Sequence, residues 1–391
     1  MPEIPELNIR HVSPPFRTFC GEKSLSAIPR ELSRVGAARA AVICVEPIAE
    51  NPQAMARLSE AIGDAFVGFF PGVAEHSPLP SVLAARDFLA EVGADAVIAV
   101  GGGSAVVTAR AAGILLAEDR DIRELCTRRG EDGTLVSPRL SAPKMPQWVV
   151  PSTPTSAYAK AGAAVRDPST GERLALFDPK IRAQGVFLDP GMALTAPPRL
   201  AWSSSLNVLS MAVEGLLSRT VDPLADALLG QALRTVSEWV PRLQDDPDDA
   251  QPRLHLMLAA LMSGQGTDHT GGGLAQALSH AVGPRAGAPN GVVEALLLPH
   301  SMRADANAVP YRTAGLAFAL GAPAGASMED LTLEIETLTD RIGVPRRLRD
   351  VGMSKDAIDD VAAHAMDDWA ITTGPRVPTH DEVVALLAAA W

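Results

Sequence analysis

The stretch Ala96-Val97-Ile98-Ala99-Val100-Gly101-Gly102-Gly103-Ser104 decides how this chain is read. Its first five residues are apolar and rich in β-branched side chains, as in a buried strand. Three glycines follow, and from Ala105 to Leu116 apolar residues recur at helical spacing. A strand that turns through bare glycine into a helix start suits an anion. No Cβ atoms stand in its way, and the first N–H groups of the helix and its dipole face the gap. The same residues also make an ordinary tight strand-to-helix turn, so the segment alone leaves both readings open.

Upstream, 40–45 reads as a strand, 51–65 as a helix with Asn51 as its cap, 67–70 as a short strand and 81–92 as an amphipathic helix capped by Ser81. Downstream, 147–151 is a strand leading into a loop rich in Ser and Thr, and 185–190 is the last clear strand. This alternation predicts a mostly parallel sheet with helices on its faces. Beyond Pro197-Pro198 the texture changes. Leu/Ala/Met-rich stretches with helical period cover 199–219, 223–242, 251–265, 272–283, 310–320, 328–342, 355–369 and 380–390, and 292–298 also reads as helix. The expected fold class is therefore α/β plus all-α: a Rossmann-like parallel-sheet domain over 1–193 and an all-helical domain over 194–391.

Composition narrows the function classes. The 391 residues suffice for two cores, and 47% hydrophobic with 20% charged residues is ordinary for a globular chain. A formal net charge of −12 argues against nucleic acid or an anionic membrane as the main partner. The three cysteines, Cys20, Cys44 and Cys126, form no CxxC pair, which fits a reducing cytoplasm and argues against a thiolate zinc site. The acidic, proline-broken opening MPEIPELNIRHVSPPF is not expected to be a signal peptide. No apolar run approaches the ~20 residues of a membrane span.

Several motifs recur in one order. After strand–GGGS–helix come Pro151-Ser152-Thr153-Pro154-Thr155-Ser156 and Leu188-Asp189-Pro190. The helical half brings Asn207 to Glu214, Gly273 to His280, Ala288-Pro289-Asn290-Gly291 and Leu297-Leu298-Pro299-His300. This order resembles the iron-containing alcohol dehydrogenase superfamily, maleylacetate reductases included, over roughly residues 15–390. The resemblance implies a dehydroquinate synthase-like architecture, a dinucleotide-binding N-terminal domain and a substrate site in the helical domain. It assigns NAD(P)H as cofactor, with Gly101, Gly102, Gly103 and Ser104 carrying the pyrophosphate and Ser152, Thr153 and Ser156 lining the nucleotide. It also implies a homodimer.

The departures from that pattern carry as much information. The family's divalent metal is typically held by an Asp, a His four residues on and two further His residues. The matching positions here are Asn207, Met211, Gln276 and Asn290. Amide oxygens and a thioether do not replace a carboxylate and imidazoles around Fe²⁺ or Zn²⁺, so no catalytic metal is expected. The family's GSE segment is Ala157-Tyr158-Ala159 here, and Arg110 stands where a Lys is usual.

Four residues become catalytic candidates. His280 keeps its motif position and has a side chain suited to proton transfer near neutrality. Tyr158 is a second possible proton donor, and Asn207 and Gln276 are suited to polarise a carbonyl in place of the metal. Each has a plain packing alternative. Met211, His269, Asn290 and Arg173 are candidate substrate contacts, while His300 reads as packed at a helix boundary. Lys160, Arg285 and Arg303 are further cations able to meet a carboxylate. Glu46, just past the 40–45 strand, leans toward NADH over NADPH.

The expected function is a metal-independent NAD(P)H-dependent reductase of a small carbonyl or activated-alkene substrate, similar to maleylacetate reductase. The alternative is a family member turned to non-redox chemistry (a lyase, isomerase or cyclase in a biosynthetic pathway). The expected partners are a small-molecule substrate and a second copy of the chain, with neither nucleic acid nor membrane.

Overall fold

A computed structural model describes residues 6–130 and 134–391. Residues 1–5 of the opening segment, and with them part of the signal-peptide expectation, lie outside the described residues. The chain forms two compact units. One spans Pro14–Pro197, and the other spans Pro198–Trp391 together with the residues up to Ser13. The helical unit thus starts four residues later than 194 and also takes in the N-terminal segment, which the sequence reading placed with the sheet.

The first unit is built on strands β1 (Arg17–Cys20), β2 (Ala40–Cys44), β3 (Phe66–Phe70), β4 (Ala96–Gly101), β5 (Arg128–Arg129), β6 (Leu135–Val136), β7 (Gln147–Pro151), β8 (Gly162–Arg166), β9 (Arg173–Phe177) and β10 (Gly185–Leu188). Six of them form one sheet in the order β1-β10-β7-β4-β2-β3, and every pairing in it is parallel. β2, β4, β7 and β10 are buried along their whole length. That is why they read as unbroken apolar runs rather than as alternating ones.

The interleaved helices are α1 (Ile28–Arg34), α2 (Glu46–Ala49), α3 (Pro52–Ile62), α4 (Leu79–Glu91), α5 (Gly103–Glu118), α6 (Ile122–Leu125) and α7 (Pro190–Ala193). Val42, Cys44, Ile98, Val100 and Trp148 pack with Leu32 of α1 and Leu58 of α3. Asn51 caps α3 as expected, accepting from the N–H groups of Gln53 and Ala54. Ser81 does not cap α4. That helix starts two residues earlier at Leu79, where Pro78 presets the chain, and the Ser81 hydroxyl donates to the Gly72 carbonyl at 2.6 Å.

The helical unit comprises α8 (Pro198–Leu216), α9 (Pro223–Asp245), α10 (Ala250–Thr270), α11 (Leu274–Ala286), α12 (Asn290–Asp305), α13 (Thr313–Leu320), α14 (Met328–Arg341), α15 (Ile358–Met366) and α16 (His380–Ala390). Local chemistry sets several starts. Asp222 caps α9, and Ser327 with Asp330 and Thr379 with Glu382 form capping boxes on α14 and α16. The start of α12 lies against α8. A Cβ on Gly291 would stand 2.1 Å from the Ser203 carbonyl oxygen and 2.8 Å from the Asn207 nitrogen, so only glycine permits this approach. Among the described residues, no helix is long and apolar enough to cross a membrane.

Candidate active site

In the α/β unit, the GGGS turn and the Ser/Thr loop leave adjacent strands side by side. Gly101 pairs in register with Pro151, and the Ser152 N–H donates to the Gly101 carbonyl at 3.0 Å. Gly101 has φ of 135°, a region that glycine occupies freely. Gly102 stands at the N-cap of α5, and no side chain caps that helix, so its leading N–H groups stay available to a ligand. A Cβ on Gly102 would come within 2.9 Å of Thr153 Oγ1, and one on Gly103 within 3.1 Å of Thr155 Oγ1. Backbone and short hydroxyls together thus line a cradle that any larger residue would fill, and this fits a pyrophosphate.

Ser152 and Thr153 are buried and Ser156 is half-buried. The Ser104 hydroxyl accepts from the His76 N–H at 3.2 Å, and its carbonyl accepts from Ser77 Oγ at 3.0 Å. Ser104 therefore also fastens the His76–Ser77 turn. Arg110 is fully buried and holds the loop from beneath, donating to the carbonyls of Ala157 and Gly162 at 2.8 and 2.7 Å. Tyr158 is a correction. Its side chain is wholly buried, its phenol bonds to the Thr155 backbone, and burial drives its pKa far above the usual tyrosine value. A phenol so placed packs the loop and does not deliver a proton to a substrate.

In the helical unit, α8, α11 and α12 bring a polar cluster into an apolar interior. Asn207, Met211 and Glu214 lie on one face of α8, at spacings of four and three. The Asn207 Nδ2 donates to Glu294 Oε2 at 2.6 Å. Ser279 Oγ lies 3.0 Å from Glu294 Oε1 and 2.8 Å from the Gln276 carbonyl. One hydroxyl proton cannot serve both acceptors. If it goes to the shorter contact, the bond to Glu294 is made by a proton on the carboxyl itself. Glu294 is completely buried, and burial pushes its pKa up to about 8, against the hydrogen bond from Asn207 and with the help of the Glu214 charge.

Glu214 accepts from the N–H groups of Ala275 at 2.6 Å and Gln276 at 3.3 Å, capping α11 from the neighbouring helix. Burial raises this carboxyl to about 8 too, against those two N–H groups. Neither acid is among the candidate site residues of the sequence analysis. A signal existed for Glu294, a single acid inside the apolar run 292–298, and for Glu214, two turns from Asn207 on the same helix face.

The four positions matched to the family's metal ligands carry two asparagines, a methionine and a glutamine. Asn207 turns its amide nitrogen toward Glu294. The Gln276 Oε1 is buried against Gly272, 1.9 Å from where a Cβ would stand, and the Asn290 Oδ1 lies against Gly283. Met211 is buried beside Asn207 on α8. No carboxylate or imidazole replaces the expected ligands at these four positions.

His280 on α11 is held by Asp368, with Nδ1 at 2.7 Å from Oδ2. Asp368 is itself fixed by the Ala370 N–H at 2.8 Å. The contact through Nδ1 fixes the orientation of the imidazole ring. Asp368, 88 residues along the chain, gave no sign in the sequence.

The other candidates are placed differently. His269 stacks on His11 with ring centroids 3.8 Å apart, beside Asp222. Arg173 is an exposed residue at the start of β9, opposite Arg166 of β8. Arg285 pairs with Asp360, and Arg303 with Glu329 and Glu336. His300 lies inside α12 rather than at its boundary, and burial lowers its pKa.

A parallel sheet with a glycine cradle, joined in one chain to a helical unit with a His–Asp pair and buried acids, defines an oxidoreductase scaffold. The iron-containing alcohol dehydrogenase model matches residues 15–190, and the C-terminal model of the Fe-containing alcohol dehydrogenase family matches residues 201–391. The chain belongs to the iron-containing alcohol dehydrogenase family, whose members are NAD(P)-dependent oxidoreductases. It is 29% identical to maleylacetate reductase 2 of Cupriavidus pinatubonensis, over 96% of this chain and 95% of that one. It is 27% identical to the lactaldehyde reductase of Escherichia coli K12, over 95% and 97% of the two chains. Its fold is that of an alcohol dehydrogenase from Oenococcus oeni, with a TM-score of 0.87, 24% identity and coverage of 96% and 98%.

Proposed function

We propose that this chain is a NAD(P)H-dependent reductase that works without a catalytic metal, on a small carbonyl or activated-alkene substrate of the kind maleylacetate reductase takes. The observation that carries the proposal is the side-by-side placement of the Gly101–Gly103 turn and the Ser152–Ser156 loop, open to a pyrophosphate. Support for metal independence is that the four positions matched to the family's metal ligands carry Asn207, Met211, Gln276 and Asn290, with no carboxylate or imidazole among them.

In this reading the bound nicotinamide supplies a hydride to the carbonyl carbon. The backbone of Gly101, Gly102 and Gly103 and the hydroxyls of Ser104, Ser152, Thr153 and Ser156 orient the coenzyme. Glu46 lies exposed just past β2, and its carboxylate favours a ribose 2′-hydroxyl over a 2′-phosphate. Asn207, through the amide hydrogen that Glu294 does not take, and Gln276 polarise the substrate carbonyl through neutral hydrogen bonds. His280 Nε2 gives the proton to the oxygen, and Asp368 holds the ring for that transfer. Met211 and Asn290 bound the substrate. Neither Tyr158, sealed in its loop, nor His269, stacked on His11, belongs to this set. The proposal includes a cytoplasmic homodimer, and the three free cysteines accord with a reducing compartment.

The test is a fluorescence titration of chelator-treated protein with NADH and with NADPH, followed by turnover on small keto acids and aldehydes. Saturable micromolar binding without added metal is the expected result. Failure to bind either coenzyme would overturn the reductase reading in favour of non-redox chemistry.

A further inference from the structure

Among the described residues, His11, Asp222 and His269 are the one group of three His, Cys, Asp or Glu side chains whose ligand atoms all lie within 4.8 Å of one another. They come from three segments: the N-terminal stretch, the cap of α9 and the last turn of α10. His11 Nδ1 lies 2.7 Å from Asp222 Oδ2. The two imidazoles stack with their planes 21° apart. Two cationic rings would repel at that separation, so the stack requires at least one neutral imidazole, the form that binds a metal.

We propose that His11, Asp222 and His269 form a binding site for a divalent first-row ion of the zinc type, separate from the active site, which fastens the N-terminal segment to the helical unit. Two imidazole nitrogens and one carboxylate oxygen are a donor set that Zn²⁺ takes in three of four tetrahedral positions. Water takes the fourth, from a cavity of about 320 Å³ that Asp222 and His269 line with Glu6, Arg10 and Arg219.

The surroundings prepare the ligands. Asp222 is buried, and its other oxygen accepts from the N–H groups of Leu224 and Ala225, which orients the carboxylate. The hydrogen bonds from His11 and these N–H groups outweigh burial and keep the Asp222 pKa below its ordinary value. His269 bonds to the Val12 backbone, the outer contact that commonly sets the ring of a metal-bound histidine. Burial and the neighbouring His11 lower the His269 pKa and favour the neutral ring. The ion displaces the proton shared by His11 and Asp222, and that proton goes to solvent. The two atoms then separate from 2.7 Å to the roughly 3.3 Å that bonds of about 2.0–2.1 Å impose.

The test is calorimetric titration of chelator-treated full-length protein with Zn²⁺, repeated with Co²⁺ to read its visible spectrum. One equivalent should bind with micromolar or tighter affinity, release a proton, and show the intense visible bands of four-coordinate Co²⁺. Both His11→Asn and His269→Asn should weaken binding at least tenfold while keeping the metal-free melting temperature, and Gln276→Ala should bind as the parent does. Limited proteolysis of the parent adds a readout independent of any variant: Zn²⁺ should slow cleavage within residues 6–13. Absence of binding at millimolar Zn²⁺, or equal binding by the parent and both His variants, would overturn the site.

Discussion

Asn207 donates its amide hydrogen to Glu294 across 2.6 Å, so the position that the resemblance matches to a metal-binding aspartate serves here as donor to a buried acid. Burial leaves that acid favouring its neutral form. Glu294→Gln keeps an acceptor for Asn207 and a donor for Ser279. It should therefore change the unfolding free energy by no more than ~1 kcal/mol, whereas Glu294→Ala should cost ~2–4 kcal/mol through a cavity and unpaired partners. Urea denaturation at pH 7 checks both. A large loss in the Gln variant would mean that Glu294 is ionised in the folded protein.

The same acids predict a pH trend. Glu214 and Glu294 are both pushed up to about 8 in the folded chain, from about 4.3 in an unfolded one. A raised carboxyl means that the folded state binds the proton more tightly. Its stabilisation is complete below the unfolded value and is lost as pH rises through the folded one. Denaturation midpoints should therefore fall between pH 5 and pH 8.5, and Glu294→Gln should remove part of that slope. Parallel curves for parent and variant would contradict the assignment.

Asp368→Asn should lower kcat by roughly 10- to 100-fold with little change in KM, and shift the pH profile of kcat, because an amide can hold the wrong tautomer of His280. His280→Ala should cost more, about 10²- to 10⁴-fold. A purely structural Asp368 would leave the pH profile where it is. This measurement therefore separates positioning from packing.

How much of this was legible before folding depended on the range of the interaction. The strand at 96–100 and its glycines announce themselves because burial on both faces leaves only apolar residues, and the turn needs no side chains. β1 was missed because Arg17–Cys20 is a short, largely exposed edge strand held only by β10. The β8–β9 hairpin was missed because its strands, Gly162-Ala163-Ala164-Val165-Arg166 and Arg173-Leu174-Ala175-Leu176-Phe177, bury alternate residues without alternating in polarity. The cluster Asn207–Glu294–Ser279 and the pair His280–Asp368 close contacts 87 and 88 residues apart. No local periodicity records such contacts. Tyr158 misled for the opposite reason: its place in the motif was right, but its side chain is wholly buried.

Gly102→Ala tests the cradle. The added methyl would stand 2.9 Å from Thr153 Oγ1, inside the space that a phosphate is expected to share with that hydroxyl. Coenzyme affinity should fall at least tenfold, about 1.4 kcal/mol, while the melting temperature stays near that of the parent, since Gly102 is extended and not in the left-handed region. Equal affinity in parent and variant would place the pyrophosphate elsewhere.

Chelation separates the two metal questions that this chain poses. If catalysis needs no metal, stripping with a chelator should leave kcat within about twofold, because His280, Asn207 and Gln276 act without a Lewis acid. If His11, Asp222 and His269 bind zinc, the stripped protein should regain thermal stability when the ion returns. At a hundredfold excess over Kd that gain is about 2.7 kcal/mol, or roughly 5–10 °C for a unit of this size. The His269→Asn variant should show neither the gain nor any change in kcat on adding zinc. Activity that is lost on chelation and restored by Fe²⁺ or Zn²⁺ in that same variant would place a catalytic ion among Asn207, Gln276 and their neighbours, and the metal-free mechanism would fail while the fold assignment stood.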